Sequence, residues 1–437
     1  MKILSVETSC DETAIALVDV SEKGGKTKFK ILANEVSSQI AIHAQYGGVF
    51  PAMAKREHGK NITHILEKVL IDSRLAKPVT KNFVLSKKAE EKIRKILERE
   101  NDLAENFINF ANRIRTPKID AIAVTTGPGL EPALWVGVSF AKALSCYWNI
   151  PFVPTNHMEG HIFSVFPTDQ NTFTIDSNKK IFPAISLLVS GGHTEIVLMK
   201  DWMKYKKVGK TRDDASGEAF DKVARMLNLP YPGGPEVSKL AAKERELDPC
   251  VDKTSDFSRS GPSSSLIRGP EKLEVLSKLV QLPRPMINSK DYDFSFSGLK
   301  TAVLYMVRDL KEKYSEKELE KLFGPDSNWK QKIACEFENS VIEVLVSKAL
   351  RAIKEYKAKT LIVGGGVSAN KYLQEIMKKE VGKINEGKKE KITVHFPSRK
   401  LTGDNGLMIA IAGYYQFKNK KIAKNLNSVK ANGNLSL

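Results

Sequence analysis

The chain has 437 residues, too many for one ordinary hydrophobic core, and its apolar content of 41% is ample for two packed lobes. No run approaches the roughly 18 apolar residues that a membrane-spanning helix needs, and acidic residues stand where a secretory signal would be apolar, so we expect a cytoplasmic protein. The four cysteines lie far apart, which excludes a disulfide framework and a CxxC site. The net charge of +18 favours a polyanionic partner, nucleic acid above all, although a generally lysine-rich proteome accounts for it equally well.

Short apolar runs separated by small polar turns predict a series of buried strands. The first two flank the turn ETSCDET, and a later pair flanks SGGHT in the same strand–turn–strand pattern. Such an internal echo is typical of two related lobes, the arrangement of actin, the sugar kinases and Hsp70. The predicted strands are 2–6, 14–20, 119–125, 184–189, 195–199 and 360–363, and a helix is predicted at 133–148.

The histidines of NHMEGH are the first candidate metal ligands. His157 and His161 are four residues apart, so on a helix they share one face and could chelate one ion. Glu159 lies two residues along and points elsewhere, so the segment is not the HExxH motif of zinc proteases. The structural alternative is two partly exposed histidines. A third ligand is needed, and Asp404, in TGDN before an apolar helix, is a distant choice whose alternative role is a helix N-cap.

Two glycine-rich turns follow predicted strands. In 190–192 (SGG), glycine permits positive φ and lets backbone N–H groups approach an anion, although Gly-Gly also suits an ordinary hairpin. The turn 364–366 lies between a strand and a helix, where a nucleotide can bind, but it matches neither GxGxxG nor the P-loop. Asp221 could accept a hydrogen bond from a ribose hydroxyl, or could simply stabilise a helix start.

Taken together, these segments resemble the tRNA threonylcarbamoyladenosine transferase family, called TsaD in bacteria. The resemblance implies an α/β, actin-like fold with two lobes around a cleft, each lobe a ribonuclease-H-like mixed sheet with flanking helices. It implies transfer of threonylcarbamoyl from threonylcarbamoyl-AMP to N6 of adenosine 37 in tRNAs reading codons that begin with A, which forms t6A and releases AMP. The matching blocks run in order from residue 3 to about 414: ILSVETSCDETAIALVD, TTGPGL, NHMEGH, LLVSGGHTEIV, DDASGEAFDKVARMLNLPYPGGPE, DFSFSGLKTAV, GGGVSAN and TGDNGLMIA.

The resemblance also implies site residues and partners. His157, His161 and Asp404 correspond to the family's ligands for one divalent metal, with Fe²⁺ expected and Zn²⁺ the alternative. No general base is identified; Glu12 is a candidate because an acid in the first turn would face the cleft. The implied partners are tRNA, threonylcarbamoyl-adenylate, and TsaB-like and TsaE-like proteins, with no membrane. The substrate contacts carry over to Leu188, Val189, Ser190, Gly191, Gly192, Asp221, Gly234 and Asn370.

We expect two lobes, 1–155 and 156–437, and the apolar helix at 405–417 is a candidate to return to the first lobe. The segment 85–115 has amphipathic helical spacing and is expected to pack on the first lobe, with tuning of partner or tRNA contact as its hypothetical role. The segment 243–290 mixes Pro, Ser, Gly and charge and is expected to be a loop insertion.

Two other functions are weighed. A metalloprotease would need a glutamate base beside the histidines, and Glu159 is wrongly placed for it. A noncatalytic actin-like ATPase or scaffold would need no set of metal ligands. The sequence leaves the oligomeric state open.

Overall fold

The computed structural model describes residues 1–76, 85–168, 170–247, 280–315, 317–319 and 329–437. Its first sheet has the order β5-β4-β1-β2-β3-β6. Strands β1, β2 and β3 form an antiparallel meander, whereas β4 and β5 run parallel to β1. The strands are β1 Lys2–Glu7, β2 Glu12–Lys23, β3 Lys26–Ser38, β4 Ala121–Gly127, β5 Phe152–Asn156 and β6 Thr172–Asp176.

The second sheet, ordered β11-β10-β7-β8-β9, repeats this topology. An antiparallel meander again comes first, and the two later strands lie parallel to its first strand. Two sheets that share this strand order are ribonuclease-H-like, so the predicted α/β, actin-like fold class is confirmed. The strands are β7 Ala184–Val189, β8 Thr194–Asp201, β9 Lys204–Lys210, β10 Thr360–Gly364 and β11 Thr393–His395.

Helices flank both sheets, and none of those described is long and apolar enough to cross a membrane. The helix predicted at 133–148 is confirmed and begins two residues earlier, at Glu131, with Pro132 in its first turn, where a missing N–H costs nothing. The helices are α1 Ile40–Ala44, α2 Pro51–Asp72, α3 Lys87–Ile96, α4 Asn101–Arg113, α5 Glu131–Trp148, α6 His157–Phe163, α7 Ser216–Met226, α8 Gly233–Leu247, α9 Ser297–Lys313, α10 Trp329–Glu355, α11 Lys371–Asn385 and α12 Gly406–Lys418.

The segment 85–115 contributes two helices, α3 and α4, to the first core, which is the cluster of buried apolar residues between the first sheet and helices α2 to α5. Its apolar side chains Ile93, Leu97, Leu103 and Phe107 are all buried there, together with residues of β1, β2 and α5. Burial of four large apolar side chains removes this segment's hydrophobic face from water, which is what its helical spacing predicts.

The chain passes between the sheets more than once. Strand β6 pairs with β3 of the first sheet, and α12, which follows the last strand of the second sheet, packs on β1, β2, β4 and β5 of the first. The lobe boundary that we place at residue 155 stays a prediction. Residues 248–279, which make up most of the expected loop insertion at 243–290, lie outside the described residues.

The packing of α12 on the first sheet leaves no room for a side chain at Gly413. A Cβ atom there would lie 2.2 Å from the Cβ of Ala123 on β4. We therefore expect Gly413→Ala to lower the free energy of unfolding by about 1–3 kcal/mol, the usual cost of overpacking a core.

Gly382 in α11 is the matched control, since nothing lies within 4 Å of a Cβ atom placed there. Gly382→Ala should raise stability by roughly 0.5–1 kcal/mol because alanine suits a helix interior better than glycine. Denaturant unfolding followed by circular dichroism measures both, and equal shifts in the two variants would contradict the close packing at Gly413.

Candidate functional site

The parallel strands of the first sheet bring three chain segments to one edge. Glu7 ends β1 and Thr125 lies near the end of the parallel strand β4. Strand β5, also parallel, ends at Asn156 and leads directly into α6. The Asn156 side chain accepts a hydrogen bond from the Met158 N–H at 2.8 Å and so caps the helix. Helix α6 therefore begins at the carboxyl edge of the sheet, where α/β proteins commonly bind ligands.

The two histidines of α6 face the carboxylate of Asp404. The Nε2 atoms of His157 and His161 each lie 3.4 Å from Asp404 Oδ1, and the candidate ligand atoms of the three residues lie within 4.8 Å of one another. The three side chains are only 7%, 1% and 15% exposed. Residues far apart in sequence thus converge on one point, as the candidate set requires.

Asp404 is available for this role because its neighbour takes the capping position. The Asn405 side chain accepts a hydrogen bond from the Met408 N–H at 3.0 Å and is the N-cap of α12. The alternative assignment of Asp404 as the N-cap is therefore wrong. The cap fixes the start of α12 and points the preceding carboxylate at the histidines.

Two residues that the sequence did not single out complete the site. Glu7 is fully buried, and its Oε2 lies 3.2 Å from His157 Nδ1. The same carboxylate accepts hydrogen bonds from the Ser9 N–H, at 2.5 Å, and from the Thr125 hydroxyl. The Ser9 hydroxyl lies 3.1 Å from His157 Nδ1 and 3.5 Å from Asp404. A carboxylate on Nδ1 fixes the imidazole tautomer that leaves Nε2 free to ligate.

The ionisable groups of the site shift one another's pKa values. Burial opposes a charged imidazolium, but Asp404 and Glu7 outweigh it and raise the pKa of His157 to about 9. Burial raises the pKa of Asp404 to about 6. His161 is different, because burial and the neighbouring His157 hold its pKa well below the usual range.

His161 provides the test of metal fit. Neither of its ring nitrogens has a hydrogen-bond partner among the described residues, although the side chain is almost fully buried. A buried polar nitrogen without a partner is costly, and a cation at its lone pair would satisfy it. Two imidazoles and one carboxylate also suit first-row divalent ions, which displace the proton of a ligating imidazole nitrogen when they bind. The three residues therefore fit a single metal ion, whose identity they leave open.

Glu159, between the two histidines, faces away from this point. Its Oε2 accepts a hydrogen bond from the Gln416 amide of α12 at 2.5 Å, and burial raises its pKa to about 6. The residue joins α6 to α12 and does not stand beside the histidines as a protease base would. This placement agrees with its spacing in the sequence.

The glycine turns 190–192 and 364–366 contact each other, and the second also contacts α6. The sequence did not show which of their glycines lie at these contacts. Gly191 and Gly192 do not adopt the positive φ that glycine permits; both are exposed, and a Cβ atom at either would meet nothing within 4 Å. Gly365 has φ +93°, and a Cβ atom on it would lie 2.4 Å from the Val189 carbonyl oxygen. A Cβ atom on Gly364 would lie 2.6 Å from the His161 carbonyl oxygen. Close approach demands glycine at 364–365, whereas 191–192 borders open space.

Asp221 and Gly234, two more of the predicted contact residues, lie on the consecutive helices α7 and α8. Asp221 Oδ1 accepts a hydrogen bond from the Gly233 N–H at 2.7 Å at the start of α8, and burial raises the pKa of its carboxyl. It lines a small cavity of about 120 Å³ with Gly233 and Tyr231. Gly234, next along α8, is half-buried, with only the Phe220 Cβ within 4 Å of a Cβ atom placed on it.

Asn370 is the N-cap of α11, and its amide is engaged by protein groups. Its oxygen accepts from the Leu373 N–H at 2.8 Å, and its nitrogen donates to Ser238 at 2.9 Å and to Glu338 at 2.6 Å. Leu188 and Val189 are fully buried with their side chains in apolar cores, so only their backbone groups can reach a ligand. Ligand contact by these residues stays a prediction.

Comparison with known proteins decides the family. The family profile described as "TsaD: tRNA N6-adenosine threonylcarbamoyltransferase" matches residues 30–88, 79–272 and 267–411. A protein of that name from Thermosipho africanus is 38% identical over 418 residues, which cover 96% of this chain and 95% of the relative. The chain belongs to the tRNA N6-adenosine threonylcarbamoyltransferase family. The threonylcarbamoyltransferase of Bacillus subtilis is also 38% identical, over 96% of this chain and 91% of its own.

Solved structures with low sequence identity are also similar to this threonylcarbamoyltransferase family member. ROK hexokinase from Thermus thermophilus covers 96% of this chain and 100% of its own, with 11% identity and a TM-score of 0.41. Full-length HypF in its phosphate- and nucleotide-bound form covers 95% of this chain, and 46% of HypF is matched, with 12% identity and a TM-score of 0.41.

Glu12, the candidate general base, begins β2 close to the acidic end of the site. Burial raises the pKa of its carboxyl well above the ordinary value, and the charges of Asp404 and Asp11 raise it further. Its role as a base in the threonylcarbamoyltransferase stays a prediction.

The opposite orientations of His161 and Glu159 on one helix give a direct test of the metal centre. We expect the wild-type chain to bind one divalent ion and His161→Ala to lose most of that binding, because one of three ligands is gone. Glu159→Gln should bind metal as the wild type does, since its amide can still contact Gln416. Titration with Zn²⁺ or Fe²⁺ followed by metal analysis measures this; wild-type metal binding by His161→Ala would place the ion elsewhere.

The Glu7 carboxylate supplies a second test that leaves all three ligands in place. Glu7→Gln replaces the negatively charged carboxylate that contacts His157 Nδ1 with a neutral amide. It should weaken metal affinity about 10–100-fold, the usual effect of losing a carboxylate that is hydrogen-bonded to a ligating histidine. Competition with a metallochromic chelator gives the affinity, and circular dichroism gives the control for folding. An unchanged affinity would show that Glu7 does not orient His157.

Proposed function

We propose that this chain transfers the threonylcarbamoyl group from threonylcarbamoyl-AMP to N6 of adenosine 37 in tRNAs reading codons that begin with A, forming t6A and releasing AMP. Membership of the threonylcarbamoyltransferase family supports the reaction class. The observation that carries the proposal is the contact between the metal-competent helix and the glycine turns: Gly364 lies against the His161 carbonyl, and Gly365 against Val189. A substrate such as threonylcarbamoyl-AMP, with one end at a metal bound by α6 and the other end at the glycine turns, would lie across this contact.

In this proposal His157, His161 and Asp404 hold one divalent ion, Fe²⁺ first and Zn²⁺ as the alternative. Two imidazoles and one carboxylate leave positions open for substrate. When bound there, such an ion supplies Lewis-acid polarisation of a carbonyl or phosphoryl oxygen. Glu7 and Ser9 hold the His157 ring in place, and Glu12 is the candidate to accept the proton that N6 loses.

The adenylate is proposed to lie along the carboxyl edge of the second sheet. The turn 190–192 offers exposed backbone with open space beside Gly191 and Gly192, where phosphate can meet N–H groups without a lysine. The backbone of Leu188 and Val189 leads into this turn. Asp221 of α7, which accepts a hydrogen bond from the first residue of α8, is proposed to hold the ribose or base together with Gly234 of α8 and Asn370 at the start of α11.

The family function implies tRNA as a substrate. We further propose TsaB-like and TsaE-like protein partners, a cytoplasmic location, and two lobes that divide near residue 155. Helices α3 and α4 are proposed to tune partner or tRNA contact from outside the active site, because their buried face belongs to the first core.

The test of this function combines transfer and binding. Purified chain, with partner proteins added, is incubated with threonylcarbamoyl-AMP and unmodified tRNA, and t6A is measured after nuclease digestion. We expect His157→Ala and Asp404→Ala to abolish product while tRNA affinity changes little, because the His157 side chain is buried and the Asp404 carboxylate would repel a phosphate.

Glu159→Gln is the matched control and should retain transfer. Product from both ligand variants at the wild-type rate would refute the metal role. A folded wild-type chain that hydrolyses ATP but makes no t6A with any partner set would favour the noncatalytic ATPase.

A further inference from the structure

A second concave surface lies at the far end of the second sheet from the metal centre. It is a cavity of about 760 Å³, and Thr360 and Thr393, the first residues of β10 and β11, line it. Strand β10 has five residues, so its two ends are roughly 15 Å apart at about 3.3 Å per residue. Gly364, at the other end of β10, abuts His161. The cavity and the metal centre therefore lie at opposite ends of one strand.

The lining of this cavity is strongly basic. Seven lysines line it against one acid, Glu390, an excess of six positive charges and a third of the net +18 of the whole chain. Lys359 approaches Glu390 at 3.9 Å, an exposed pair that contributes little. The other six lysines are exposed. The lysines are Lys179, Lys180, Lys354, Lys357, Lys359, Lys388 and Lys391.

Helix geometry accounts for only part of this charge. Lys354 lies in the last turn of α10, and Lys388 follows the end of α11, positions where a cation interacts favourably with the helix dipole. Lys179, Lys180 and Lys391 lie outside helices. Like charges gathered around one concavity repel one another, so an anionic partner would stabilise this surface.

We propose that this lysine-lined cavity is a docking site for the phosphate backbone of the tRNA substrate. The proposal rests on the proposed function for its choice of RNA. Lysine is a flexible point charge, and the lining residues include no arginine fork and no aromatic ring on which a base could stack. Such a surface recognises phosphate without reading sequence, and so positions the RNA while the base is read elsewhere.

The lining of the cavity favours an extended polyanion over a small one. Its lining includes the apolar side chains Ile353, Ile384 and Ile392, and the first two lie at the carboxyl ends of α10 and α11. Those helix ends carry negative partial charge, which disfavours a small phosphate enclosed among them. Exposed lysine ammonium groups suit a chain of phosphates that crosses the mouth instead. An RNA stem-loop is longer than the separation of about 15 Å estimated from the length of β10, so one tRNA can reach both places.

The experiment measures tRNA affinity as a function of salt. The cavity variant carries Lys354→Gln, Lys357→Gln, Lys388→Gln and Lys391→Gln. The matched control loses the same charge from four exposed lysines at the β2–β3 hairpin of the first sheet, through Lys23→Gln, Lys26→Gln, Lys28→Gln and Lys30→Gln. Fluorescence anisotropy with labelled unmodified tRNA gives the dissociation constants, and metal content and circular dichroism check that each variant is folded and loaded.

We expect the cavity variant to bind tRNA about tenfold or more weakly near physiological salt, with a salt-dependence slope smaller by about 3, since each lost phosphate contact removes nearly one released counterion. The control should change far less. Transfer at saturating tRNA should keep its kcat in the cavity variant while KM for tRNA rises, because no residue of the metal centre is altered.

Three results would overturn the docking site. Equal losses of tRNA affinity in the cavity and control variants would show that only the overall positive charge of the chain matters. Wild-type affinity in the cavity variant would remove it altogether. Binding of inorganic tripolyphosphate that the cavity mutations abolish, with tRNA affinity unchanged, would make it a small-polyphosphate site. The tRNA-binding assay does not depend on the transfer reaction. A wild-type chain that binds tRNA but makes no t6A would therefore reject the proposed function without rejecting the docking site.

Discussion

The site depends on the close packing of one short helix between two sheets. All seven residues of α6 are buried, and the helix contacts β5 of the first sheet, β7 and β10 of the second, and α12. Two glycines make this possible: a Cβ atom on Gly160 would lie 2.8 Å from Ile409 of α12, and one on Gly364 would lie 2.6 Å from the His161 carbonyl. With either contact wider, the histidines, Asp404 and the glycine turns would no longer lie beside one another.

The same packing forces polar groups into the interior, and the structure satisfies most of them. The Glu7 carboxylate is tolerable at zero exposure because Ser9, Thr125 and His157 all surround it with polar partners. Glu159 is likewise held by Gln416. His161 is left unsatisfied: neither of its ring nitrogens has a hydrogen-bond partner among the described residues, and the ring faces Asp404. The unsatisfied group thus marks the position that a ligand ion would complete.

The second sheet separates two kinds of surface along the direction of its parallel strands. Its carboxyl ends carry glycine turns, where exposed backbone and open space suit a small ligand. Its amino ends carry lysines around a wide cavity, where charge is dense and sequence-reading groups are absent from the lining. The carboxyl ends of parallel strands lie together at one edge of a sheet, and the amino ends lie together at the other. The proposed site of chemistry and the proposed phosphate-binding surface are therefore at opposite edges.

Features that depend on short-range spacing could be predicted from the amino-acid sequence. The shared face of His157 and His161 and the displaced Glu159 follow from helix periodicity, and the strand–turn–strand echo indicated two related units, which agrees with the repeated sheet topology. Tertiary structure decided which distant groups meet. Glu7 and Ser9 reach His157 only because β1, β4 and β5 are parallel and end together, and no local pattern encodes that pairing. Likewise the glycine requirement lies at Gly365 and not at Gly191, because it arises from contact between two turns that the fold alone brings together.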